Sequence, residues 1–134
     1  MSRRPSKLQR VDLPALTGRI RGTTGFGFHV VGESYFQVEL RHIRNNMSVA
    51  YDNDLEAFIV TEPNNLHDEN ACAVYIDSFK VGYLPSDAAR DYVTQMRGNG
   101  VFGESCFQIR AKLTGGFGER PKIGVMLNLP AGAD

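Results

Sequence analysis

The sequence predicts an α+β domain that is mainly β, or a small barrel closed by one helix. Three observations carry this expectation. Short apolar runs alternate in the manner of strands, glycines and prolines punctuate them, and one segment, about 86–97, repeats its apolar residues at helical spacing. A chain of 134 residues fits one domain around a modest core, and a charged fraction of 22% is that of an ordinary globule.

Taken in order, residues 1–14 read as a basic flexible leader, polar and marked by Pro5 and Pro14, before a single domain over 15–134. The glycine-broken stretch RGTTGFGFHVVGE ends in a strand-like FHVVGE. Its Gly25, Gly27 and Gly32 do not have the spacing of a dinucleotide-binding loop. YFQVELRHIRNN admits either alternation or a short helix after residue 34, and the stripe Tyr35, Phe36, Leu40, Ile43 fits the helix better. LEAFIVTEP reads as a strand ended by Pro63, NACAVYI as a second and KVGYLP as a third. Asp77-Ser78 between the last two predicts an antiparallel hairpin.

SDAARDYVTQMRGNG predicts the main helix, with Ser86 as N-cap, Asp87 complementing the helix dipole and Gly98 to Gly100 ending it. Ala88, Tyr92, Val93 and Met96 are expected to face the core. SCFQIRAKL and KIGVMLNL complete the strands, with TGGFGER as the glycine-rich turn between them.

Composition narrows the function. The net charge of zero hides an asymmetry: within residues 1–22, Arg3, Arg4, Lys7, Arg10, Arg19 and Arg21 face only Asp12. Such an arm either meets phosphates or is a solvated tail, and overall neutrality argues against coating duplex DNA by phosphate neutralisation alone. No apolar run is long enough to span a membrane and no signal peptide is visible, so a cytoplasmic protein is expected. Cys72 and Cys106 sit in β-patterned segments and read as buried, reduced thiols. No zinc-ligand spacing, nucleophile elbow or paired-histidine motif occurs, so neither a metal nor a cofactor is expected.

The stretch with chemistry in it is TEPNNLHDENACAVYI, residues 61–76, where asparagines, a histidine and acids precede an apolar strand. It belongs to a wider pattern formed with HVVGESYF (29–36), KVGYLPSDAA (80–89) and the helix that follows. Together these segments resemble the HIRAN domain, firmly over residues 26–97. That family occurs at the N-terminus of fork-remodelling helicases and as a stand-alone module. The resemblance implies an OB-like small antiparallel β-barrel that binds single-stranded DNA, in the best-studied members at a free 3′ end, in DNA repair or replication.

Carried over by position, the resemblance implies that Tyr35 and Phe36 stack on terminal bases. It places Asn64, Asn65 and Asp68 against the terminal sugar, where a carboxylate can accept a hydrogen bond from the 3′ hydroxyl. His67 stands where DNA-binding members carry an aromatic, and Tyr83 matches another contact position. Two positions depart. Ser34 and Ser86 replace residues that are basic in the helicase-borne domains, and each lost cation weakens phosphate binding by about 1–2 kcal/mol. Beside these roles stand plainer ones: Tyr35 or Phe36 in the core, and Asn64, Asn65 and Asp68 shaping a turn. At the level of function the alternatives are an adaptor module that meets DNA-processing proteins, and a small hydrolase using His67 and Asp68.

Overall fold

The structure, a computed structural model, describes residues 8–21, 28–46 and 55–129. The expected leader up to Lys7 and the glycine-broken residues 22–27 lie outside that range. The strands are β1 (Gly18–Arg19), β2 (Phe28–His29), β3 (Leu55–Thr61), β4 (Cys72–Ile76), β5 (Phe79–Tyr83), β6 (Cys106–Phe117) and β7 (Arg120–Leu127). A 3-10 turn, Glu33–Phe36, leads into helix α1 (Gln37–Asn45), and helix α2 spans Ser86–Gly98. The expected helices and strands are therefore present. No helix among the described residues is long and apolar enough to cross a membrane.

One sheet holds all the strands in the order β2-β7-β6-β3-β4-β5, with β1 pairing β6 in parallel and every other pair antiparallel. The sheet curls because its two ends approach each other. Beyond β2, Val30 N–H donates to Val125 O at 3.0 Å on β7. The next residue, Val31, exchanges both backbone bonds with Tyr83 of β5, at 2.8 and 2.9 Å. This pair bridges the open side, and the result is an OB-like α+β fold with two helices.

Alternation assigns the two faces. Ile59, Val74, Val81, Ile109 and Val125 point inward with Leu40 and Ile43 of α1 and Ala89 and Tyr92 of α2, forming the main core. Val60, Ala73, Tyr75 and Cys106 lie on the outer face under Leu13 of the N-terminal segment. That segment is tied across the sheet by Val11 N–H to Ser78 O (3.0 Å) and Thr17 N–H to Cys106 O (2.7 Å). Arg10 pairs with Asp77 at 2.7 Å and lies over the Phe79 ring. Residues from Leu8 onward, within the expected leader, thus cross the outer face beside the β4–β5 turn.

Local rules explain the elements and also correct three expectations. Asp77 and Ser78 adopt φ 54° and 64°, the left-handed pair that a two-residue hairpin requires. Ser86 is the first helical residue, not the N-cap; Pro85 occupies the cap with extended dihedrals and no side-chain bond closes the end. The buried alanine of α2 is Ala89, one position on from Ala88, because Ala89 lies three, four and seven residues before Tyr92, Val93 and Met96 and so shares their face. The TGGFGER turn is mostly strand: β6 continues to Phe117, and only Gly118 and Glu119 form the turn. Gly115, at φ 67°, makes this continuation feasible, since a Cβ there would collide with Lys122 O where the β6–β7 register shifts. Both cysteines are buried free thiols, as expected.

Candidate nucleic-acid interface

The segment between β3 and β4 is built on its own side chains. Asn65 N–H donates to Glu62 O at 3.0 Å, while the Asn65 side-chain oxygen accepts from the N–H groups of His67 (2.8 Å) and Asp68 (3.0 Å). Its Nδ2 donates to Glu62 Oε1 at 2.9 Å. Asp68 Oδ1 accepts from Asn70 N–H at 2.8 Å, and Asp68 O accepts from Ala71 N–H at 3.0 Å. These are asparagine and aspartate turns, in which a short polar side chain substitutes for a backbone partner. Asn65 therefore holds the loop in shape.

Other groups remain available. The Asn64 and His67 side chains are exposed and have no hydrogen-bond partner among the described residues. Asp68 is half-buried, and its Oδ2 has no protein donor among them. Leu66, at the loop tip, is 99% exposed. One carboxylate oxygen of Asp68 is thus fixed while the other can accept a further donor.

Glu62 is the hub that the sequence did not single out. Its carboxylate accepts from Asn65, from Lys80 Nζ at 3.2 Å and from the Tyr83 hydroxyl at 3.2 Å. Lys80 Nζ also donates to the Tyr83 oxygen at 2.9 Å and lies 5.0 Å from the centre of that ring. Burial disfavours the Lys80 charge, but the bonds and charges of Tyr83, Tyr75 and Glu62 outweigh it and raise its pKa. Strict alternation would separate Lys80 from Tyr83; the β4–β5 register shift between Val74 and Tyr75 brings them to one face, opposite Tyr75 and Ala73.

Tyr83 links this loop to the second half of the region. Its backbone pairs with Val31, two residues before the 3-10 turn. Gly82 permits that approach: a Cβ there would overlap Val30 Cγ1 and come within 2.6 Å of Val31 O. Gly32, at φ 77°, then redirects the chain into the turn. Gln37 fixes the turn to the sheet, its side-chain amide donating to Ile123 O and accepting from Ile123 N–H, both at 2.8 Å, as a strand neighbour would. No sequence signal marks that role.

This scaffold presents Tyr35 to solvent at 85% exposure, while Phe36 is half-buried. Ser34 is exposed on the same turn, and Ser86 is exposed at the start of α2, three residues past Tyr83. The structure thus connects Asn65 and Tyr83 through Glu62, with Asp68 bonded to Asn65, and connects Tyr35 and Phe36 to Tyr83 through Val31. No hydrogen bond joins the 3-10 turn directly to the β3–β4 loop.

The region is a surface rather than a pocket. The cleft behind the loop, lined by Thr61, Pro63, Glu69, Met96 and Arg97, has a volume of about 50 Å³. Small-molecule sites run to roughly 300–1,000 Å³. Its charge is acidic on the loop side, from Glu62, Asp68 and Glu69, with Lys80 paired inside.

No curated protein and no solved structure matches the chain at a significant level. The sequence model of the HIRAN domain, by contrast, matches residues 24–124, which include the 3-10 turn, the β3–β4 loop, Tyr83 and both helices. The chain therefore belongs to the HIRAN-domain family.

Proposed function

We propose that the protein is a non-enzymatic module that binds single-stranded DNA at a free 3′ end, in DNA repair or replication. The observation that carries this reading is Tyr35, a large aromatic held by a fixed turn yet 85% exposed. Stacking on such a ring tolerates any base and is worth roughly 1–3 kcal/mol per base. Phe36 supports it from the half-buried side; Asn64, His67 and Asp68 meet the terminal nucleotide, and Asn65 holds the loop that presents them. The free Oδ2 of Asp68 accepts the 3′ hydroxyl, with Tyr83, Ser34 and Ser86 flanking. Nothing in this chemistry calls for a metal or cofactor.

A second reading rests on Leu66. An almost fully exposed leucine at the tip of an acidic loop suits a protein partner from the DNA-processing machinery, the more so because Ser34 and Ser86 supply no charge for phosphates. The hydrolase reading has less support, since the His67 ring has no carboxylate partner among the described residues and the neighbouring cleft is small.

Fluorescence anisotropy at low salt, using single strands that end in a 3′ hydroxyl or a 3′ phosphate, tests the proposal. Tighter binding of the hydroxyl end is expected, because a terminal phosphate is repelled by Asp68. Equal binding removes the role given to Asp68. Absence of binding to either strand at high micromolar protein removes the DNA reading, and pull-down with and without nuclease then checks for a protein partner.

A further inference from the structure

We infer that the outer face of β6, flanked by β1 and β7, is a second DNA-contact surface that takes the phosphate backbone of the strand beyond its bound end. This rests on the DNA reading above but uses different residues, some of them outside the family match.

Register places the cations on one face. Ile109, Ala111 and Leu113 of β6 are buried, so Gln108, Arg110 and Lys112 face outward, about 7 Å apart along the strand. β1 lies level with Gln108, opposite Arg19, whose Nε donates to the Gln108 side-chain oxygen. Ile20 N–H to Gln108 O (2.8 Å) carries the contact one residue further, and the exposed Arg21 follows it. On β7, Ile123, Val125 and Leu127 are buried, and Lys122 and Met126 face outward; Met126 lies between Lys112 and the exposed His29 of β2. Arg19, Arg21, Arg110, Lys112 and Lys122 thus share one side of the sheet. Glu56, opposite Arg110 on β3, bounds the row.

The occupant follows from charge. A row of cations on a firm sheet, with Gln108 and His29 as added hydrogen-bonding groups, suits a chain of phosphates, and each contact releases counterions. It also offsets the weakness of the first site, where Ser34 and Ser86 bring no charge and the β3–β4 loop is acidic. Arg19 and Arg21 precede the matched residues 24–124, so this part of the surface lies outside the family match. Strands long enough to reach this face are bound more tightly than short ones.

The test uses the full chain and its variant Arg19→Glu/Arg21→Glu/Lys122→Glu. Binding is measured to a trinucleotide and to a strand of about 20 nucleotides, longer than the roughly 4–16 that one OB-type fold covers. The expected result is at least a tenfold loss for the long strand, with the slope of log K against log salt reduced by about 2, at about 0.7 per lost contact. Trinucleotide affinity and the preference for a 3′ hydroxyl stay within twofold. Unchanged long-strand affinity and slope, in a variant with the wild-type melting temperature, overturn the inference. Should the triple variant fold poorly, Arg21→Glu/Lys122→Glu keeps the Arg19–Gln108 bond and is expected to lose about 1.4 of slope. If the wild type ignores the end group while the variant still loses the long strand, the end-binding reading fails and this surface stands. The reverse pattern, end discrimination with no loss in the variant, sinks the surface alone.

Discussion

The β3–β4 loop and the 3-10 turn both lie within the family match, yet they use their residues in opposite ways. In the loop, Asn65 and one oxygen of Asp68 are committed to the loop's own backbone, and Glu62 draws Asn65, Lys80 and Tyr83 together. In the turn, the work of holding is done from outside, by Gln37 on β7 and by the Val31–Tyr83 pair, which leaves Tyr35 free. A motif residue can therefore be there to keep a shape or to meet a ligand, and only the hydrogen bonds separate the two. Asn64 and Asn65 are neighbours in sequence and fall on different sides of that division.

The largest effect is expected where the two regions join. Gly82→Ala forces a Cβ into Val30 and Val31 O, so it should destabilise by about 1–3 kcal/mol, read from chemical denaturation, and weaken DNA binding with it. Next, Tyr35→Ala should lower affinity for a single strand by about 1–3 kcal/mol while stability stays within about 0.5 kcal/mol. Asn65→Ala should show the opposite balance, costing about 1–2 kcal/mol of stability through the loop N–H groups it leaves unmade. Asn64→Ala should leave stability unchanged and reduce binding by no more than about 1 kcal/mol. An Asn64 variant that unfolds, or an Asn65 variant that does not, breaks the division.

The scaffold gives stability a dependence on alkaline pH. Burial, then Asp68 and Glu62, pushes the Cys72 thiol up to about 12 from an ordinary 9.0. Burial likewise drives Tyr92 upward, and Lys80 is held above its usual value. Each folded-state pKa is raised, so the folded chain holds more protons than the unfolded one at alkaline pH. Their contribution to stability should then be intact near pH 8 and be lost as pH rises from about 9 toward 12, as denaturation midpoints across that range would show. In the native state Cys72 should resist thiol reagents near pH 8.

Much of this was legible in the sequence because local chemistry and tertiary structure agree. Short apolar runs ended by turn residues marked β3, β4 and β5, alternation marked β6, and Asp77-Ser78 marked the tight β4–β5 hairpin. Glycines misled where a bulge, not a turn, required them: Gly115 and Gly116 lie within β6. The start of α2 was displaced by one residue because Pro85, rather than Ser86, takes the cap. In the site, the motif residues could be named but not divided by role, since Asn65 and Asn64 look alike without their partners. Gln37 and Glu62 act through residues 86 and 21 positions away, respectively, and no local pattern predicts such pairs.

The most direct measurement compares wild type and Tyr35→Ala with a short single strand carrying a free 3′ hydroxyl, in a pair whose melting temperatures coincide. Tyr35 as the exposed stacking platform predicts binding by the wild type and roughly fivefold or greater weakening in the variant. Equal affinity of the two proteins for that strand would contradict it.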